Sequence, residues 1–82
     1  MPVSQSSAVE RIARVIAGQR LSANADGVDG SAGEAVDNEW QEHRDDAVAI
    51  LKTLREPDQR MAAAGDIAVW QAMIAAGLAD EA

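Results

Sequence analysis

Four residues near the middle of the chain have side chains and spacing that could do chemistry: Glu39, Glu42, His43 and Asp46. Residues three and four apart share a helix face. Glu39 therefore lies one turn before His43, and Asp46 just under one turn after it. A Glu-His-Asp row of this kind can hold zinc or another divalent ion, or polarise a water molecule. One helix offers at most three such ligands in poor tetrahedral geometry, and a two-fold partner could supply the rest. The ordinary reading competes with this. His43 also falls on an apolar stripe beside Trp40, where a histidine at the edge of a core, hydrogen-bonded to a neighbouring group, is the commoner arrangement.

The element that must carry these residues is a helix predicted over 34–55. Val36, Trp40, His43, Ala47, Ile50 and Leu54 recur at steps of four and three, which stacks them on one face. Val48 and Leu51 widen the stripe. Glu34, Asp37, Glu39 and Glu42 crowd its start, while Lys52 and Arg55 sit at its end, as the helix macrodipole favours. Pro57 stops it, because the residue before a proline is pushed out of the helical region.

A second helical pattern covers 57–79. Pro57 suits the first helical position and Asp58 follows it. Ile67, Trp70, Ile74 and Leu78 form one row, with Val69 and Met73 beside it. Gly65 interrupts the pattern and Asp66 can cap a fresh start. The span is thus one helix, or two pieces kinked at Gly65. Upstream, Ser7 and Glu10 fit a capping box before Val9, Ile12, Val15 and Ile16, which predicts a helix over 6–21. Arg11 and Arg14 lie beside that stripe and are placed to face Glu42, Asp45 and Asp46.

Residues 22–33 read as a flexible linker, rich in glycine and small polar residues. A calcium loop is the tempting alternative, with Ser22, Asn24 and Asp26 at its first ligand positions and Gly27 at its turn. That pattern fails downstream. Asp29 takes the position that should be apolar, Gly33 stands where the bidentate glutamate belongs, and Glu34 comes one residue late.

The bulk composition limits what such a chain can be. Its 82 residues make one domain with a thin core. Of 39 hydrophobic residues 18 are alanine, which leaves 21 larger ones, and Trp40 and Trp70 are the only aromatic anchors. With no cysteine there is no disulfide to compensate, and association between copies is the remaining source of stability. The formal charge of −7 repels phosphate backbones, which argues against direct nucleic-acid binding. No apolar run approaches the length of a membrane helix, and the N-terminus lacks the apolar segment of a signal peptide. A cytoplasmic protein is the resulting expectation.

Two resemblances add to this. Leu54-Arg55-Glu56-Pro57, Met61, Ala64-Gly65 and Val69-Trp70-Gln71-Ala72-Met73-Ile74 together resemble a recurring tail in small uncharacterised proteins of proteobacteria and their phages. Those tails read L-R-E-P-x-x-x-M-x-x-A-G and then V-W-x-A-M-I-x-A-A-L after a spacer. The match covers about 25 residues. Here the spacer is only Asp66-Ile67-Ala68, and Gly77 replaces an alanine. The resemblance implies provenance and no particular activity. Separately, Glu39-x-x-Glu42 resembles half of the acidic metal motif of all-α nucleotide pyrophosphohydrolases. Those enzymes need an E-x-x-D pair on an adjacent helix, whereas Glu34-x-x-Asp37 lies on the same predicted helix.

The expected fold is therefore all-α, a small bundle of two to three helices. A hairpin of 34–55 against 57–79 forms its centre, and Trp40, Ile50, Leu51, Leu54, Ile67, Trp70, Met73 and Ile74 supply its core or interface. The expected function is a small acidic interaction or accessory module, non-catalytic and without cofactor, acting as a homodimer or higher oligomer. One alternative is a metal- or nucleotide-dependent enzyme using Glu39, Glu42, His43 and Asp46. Another is an acidic decoy that occupies the basic surface of a second protein.

Overall fold

A computed structural model of the chain describes residues 3–24 and 32–79. Among them every regular element is helical: α1 (Ala8–Asn24), α2 (Ala32–Glu39), a 3₁₀ turn (Trp40–His43), α3 (Arg44–Thr53), α4 (Gln59–Ala64) and α5 (Ile67–Ala79). The protein is all-α.

Helix α1 begins where its capping residues place it. Ser7 Oγ accepts the Glu10 main-chain N–H at 3.0 Å and satisfies one of the free donors of the first turn. The helix does not end near residue 21. It runs to Asn24, with Gly18 in its interior. The expected linker is correspondingly shorter: 22–24 close α1, α2 opens at Ala32, and 25–31 lie outside the described residues. The calcium-loop reading loses its frame as well. Ser22 and Asn24 sit on helical backbone, and its remaining positions before Ala32 lie outside the described residues.

The predicted helix over 34–55 is two helices joined by the 3₁₀ turn. The turn follows Glu39, at φ −112° and ψ −13°, and its backbone leaves the α region at His43, with φ −105° and ψ 10°. Four residues at three per turn, rather than 3.6, rotate all that follows by about 80°. The inward row of α3 becomes Ala47, Val48 and Leu51, while Ile50 and Leu54 move to an exposed flank. The last turn closes early. The Leu54 N–H donates to the carbonyls of Ile50 and Leu51, and α3 stops at Thr53.

Downstream, the kinked alternative holds. Gly65 is extended, with φ −160° and ψ −165°, and separates α4 from α5. Each piece carries its own N-cap. Asp58 Oδ1 accepts the Met61 N–H at 2.8 Å, and Asp66 Oδ1 accepts the Val69 N–H at 3.1 Å. Pro57 precedes the cap of α4 and does not open the helix as expected.

The centre of the molecule is α1, not the expected hairpin. It packs against α2, the 3₁₀ turn, α3 and α5. Val9, Ala13 and Ala17 are fully buried along one α1 face, and the core joins Val9 and Ala13 to Ala47, Leu51 and Ile74. Small side chains explain this arrangement, because alanine rows let helix axes approach to the short end of the usual 8–10 Å. Trp40, Trp70, Ile12, Ile16, Val48 and Leu78 pack around that core half-buried. Among the described residues no helix is long and apolar enough to cross a membrane.

Candidate interaction surface

The residues first singled out for chemistry are not brought together. Glu39 ends α2, Glu42 and His43 belong to the 3₁₀ turn, and Asp46 lies in α3. The tighter turn breaks the helical register that would have aligned them. Among the described residues no three His, Asp or Glu side chains are placed to share a metal ion. The E-x-x-D pair, Glu34 and Asp37, lies on α2, where Asp37 is engaged by the guanidinium of Arg14.

That guanidinium anchors the polar side of the molecule. Arg14 Nε donates to Glu10 at 2.8 Å, Nη1 donates to Asp37 on α2, and the same group lies 5.4 Å from the centroid of the Trp40 ring. Arg44 lies 5.2 Å from that centroid. Trp40 is thus stacked by two cations. Asp37 chiefly, then Glu10, raise the Arg14 pKa above its ordinary value. The basic–acidic match between α1 and the next segment therefore exists, but through Arg14 and Asp37 rather than Glu42, Asp45 or Asp46. All of these contacts are intramolecular and serve the fold.

The surface formed by α4 and α5 is different. Helices α4 and α5 meet at an open groove of about 380 Å³ whose lining includes Pro57, Met61, Ile67, Val69, Trp70 and Met73. Large apolar side chains stand in solvent around it. Met61 is 37% exposed, Ile67 45%, Val69 55% and Met73 63%. Ile50 on α3 and Leu54 just after it are also exposed. Leu54 adjoins the groove, because Trp70 Nε1 donates to its main-chain carbonyl at 2.6 Å.

Of the eight residues expected in the core or an interface, only Leu51 and Ile74 are buried, while Trp40 and Trp70 are half-buried. Ile50, Leu54, Ile67 and Met73 sit on the exposed side. Sequence reading passed over Met61 and Pro57 as members of this surface. The clue was the one apolar residue of weight in α4, which nothing inside a short helix needs.

Charge sharpens the contrast. Helix α5 carries no charged residue in its 13 positions. Over 54–79, Arg55 and Arg60 stand against Glu56, Asp58 and Asp66, a net of −1, so the rest of the chain carries −7 − (−1) = −6. Monomeric proteins seldom leave a large contiguous apolar patch in water, and such patches commonly mark interaction sites. Compared with known proteins, the chain matches no protein-family model, no curated protein and no solved structure.

Proposed function

We propose that the chain is a small, non-catalytic interaction module that works as a homo-oligomer through its α4–α5 face. The observation that carries this reading is the exposure of Ile67, Val69 and Met73 on an uncharged helix beside an apolar groove. Covering such a face returns transfer free energy of about 25 cal/mol per Å², part of which offsets the cost of association. The electrostatic pattern supports the same face, because two chains of charge −7 repel least where the local charge is close to zero. Several of the residues that resemble the recurring proteobacterial and phage tail, among them Pro57, Met61, Val69, Trp70 and Met73, line this surface, while Ile74 belongs to the core; a docking role for such tails is consistent with that resemblance.

The test uses Trp70 as a reporter. Trp40→Phe leaves it the only indole, and it lines the groove. Dilution from high to low micromolar concentration is expected to shift its emission to longer wavelength as the face is uncovered. A concentration-independent spectrum, with the mass of a single chain, would remove the reading.

A further inference from the structure

Resting in part on the self-association just proposed, we infer that the α4–α5 groove is a site of reversible oxidation: a hydroperoxide converts Met61 and Met73 to their sulfoxides, and the face then no longer associates. The chain has no cysteine and three methionines, so thioethers are its only sulfur. Met1 is one of them. The other two come from different helices, Met61 from α4 and Met73 from α5, and both line the same groove beside Trp70. Met73 is 63% exposed and Met61 37%, so both side chains meet solvent in the single chain. Susceptibility of such side chains to peroxide follows their exposure.

The step needs only the oxidant. The thioether sulfur attacks one oxygen of the peroxide, and the S–O bond forms as the O–O bond breaks. With hydrogen peroxide, the departing hydroxide takes the proton from the oxygen now on sulfur. The products are one sulfoxide and one water; sulfur loses two electrons and the peroxide gains them. Two thiols, acting through a methionine sulfoxide reductase, return the thioether and leave a disulfide and water. The change matters here because the groove is otherwise apolar. Asp66 is the one charged residue in its described lining, and α5 carries none. Covering a sulfoxide oxygen without a donor costs free energy. Each sulfoxide therefore opposes the burial that association requires, whereas the single chain keeps it in water.

The two sulfurs are not equivalent. Met73 lies on α5, which Ile74 ties to the core, so its oxidation acts on the face alone. Met61 is the only large apolar side chain of α4, a six-residue helix with no buried residue. So short a helix has little stability of its own. Met61 is the more covered of the two methionines, and it is the side chain through which α4 adds weight to the groove. Its oxidation should loosen α4 as well. The order follows exposure, Met73 first and Met61 second.

The test treats the full chain with excess hydrogen peroxide at low micromolar concentration, where single chains prevail. Mass spectrometry follows each methionine beside N-acetylmethionine amide. Met73 should oxidise within about threefold of the free amide, and Met61 more slowly. At high micromolar concentration Met73 should be protected, because association covers it. The oxidised protein should sediment as one chain where the untreated protein is paired, and a methionine sulfoxide reductase with a dithiol should restore pairing. The double variant Met61→Leu with Met73→Leu keeps the bulk without an oxidisable sulfur, and should pair with or without peroxide. Met73→Gln, polar and of similar length, should behave as the oxidised protein does. Oxidation of Met73 on the order of tenfold slower than the free amide, at low concentration, would overturn the site. Sulfoxide at both positions with pairing unchanged, or loss of pairing in the treated double variant, would overturn the switch and leave self-association standing. A single-chain mass at every concentration before treatment would defeat the self-association reading and the switch with it, while the two oxidation rates would still decide the site.

Discussion

The indole Nε1–H of Trp70 donates to the main-chain carbonyl of Leu54 at 2.6 Å, across the joint between α3 and α5. One residue further on, Gln71 Nε2 donates to the carbonyl of Arg55 at 3.3 Å. The last carbonyls of a helix have no partner within it. Here two side chains from α5 supply partners to the turn that ends α3. They hold the two helices together beyond the short stretch of core that Ile74 and Leu51 provide. The α4–α5 face thereby has a fixed orientation on the rest of the molecule.

Trp70→Phe keeps most of the ring and removes the donor. The expected loss is about 1 kcal/mol, the usual net worth of one such bond, read from urea unfolding at fixed protein concentration. An unchanged midpoint would mean that water replaces the bond at no cost and that packing alone joins α5 to α3.

Trp40 is half-buried and stacked by Arg14 and Arg44. Full truncation of a buried tryptophan costs roughly 3–5 kcal/mol, and partial exposure lowers the expectation for Trp40→Ala to about 2–4 kcal/mol. Since a domain of this size holds on the order of 5–10 kcal/mol, the variant should be partly unfolded at warm temperature. Circular dichroism melting checks this. A melting point equal to that of the parent would show that the stacked arrangement contributes nothing to the fold.

Two glycines inside helices offer stabilising substitutions. A Cβ at Gly18 would meet Val36 Cγ2 at 3.8 Å, and one at Gly77 would meet Leu51 Cδ2 at 3.5 Å and the Ala8 Cβ at 4.0 Å. These are ordinary contacts. Gly18→Ala and Gly77→Ala should each add about 0.5–1 kcal/mol by relieving the backbone entropy cost of glycine. For a domain of this size that is a rise in Tm of about 2–8 °C. A fall in Tm for either would place the helices closer together at that point than described.

Local chemistry was readable where a side chain acts on its own backbone. Ser7 and Asp66 could be read as caps because capping needs only nearby residues, whereas Gly65 left one helix or two equally open. The 3₁₀ turn at Trp40–His43 could not, since nothing in Trp-Gln-Glu-His opposes a continuous helix. The break accompanies packing of Trp40 against α1 and its stacking on Arg14, a residue distant in sequence. The central role of α1 was hidden for a related reason. Ala13 and Ala17 pack tightly because they are small, and small residues contribute little to a hydrophobic pattern. Periodicity did find Ile67 and Met73 on apolar rows, but a row has the same spacing whether it faces a core or a neighbouring molecule.

Sedimentation equilibrium of the full chain beside Met73→Asp, over low to high micromolar concentration, tests the self-association account most directly. Met73 is largely exposed within the monomer, so the charge should leave helicity and melting of the single chain nearly unchanged. The unsubstituted protein should pass from one to two chains as concentration rises, while Met73→Asp stays at the mass of one chain. Equal masses for both proteins at every concentration, with the same helical content, would contradict it.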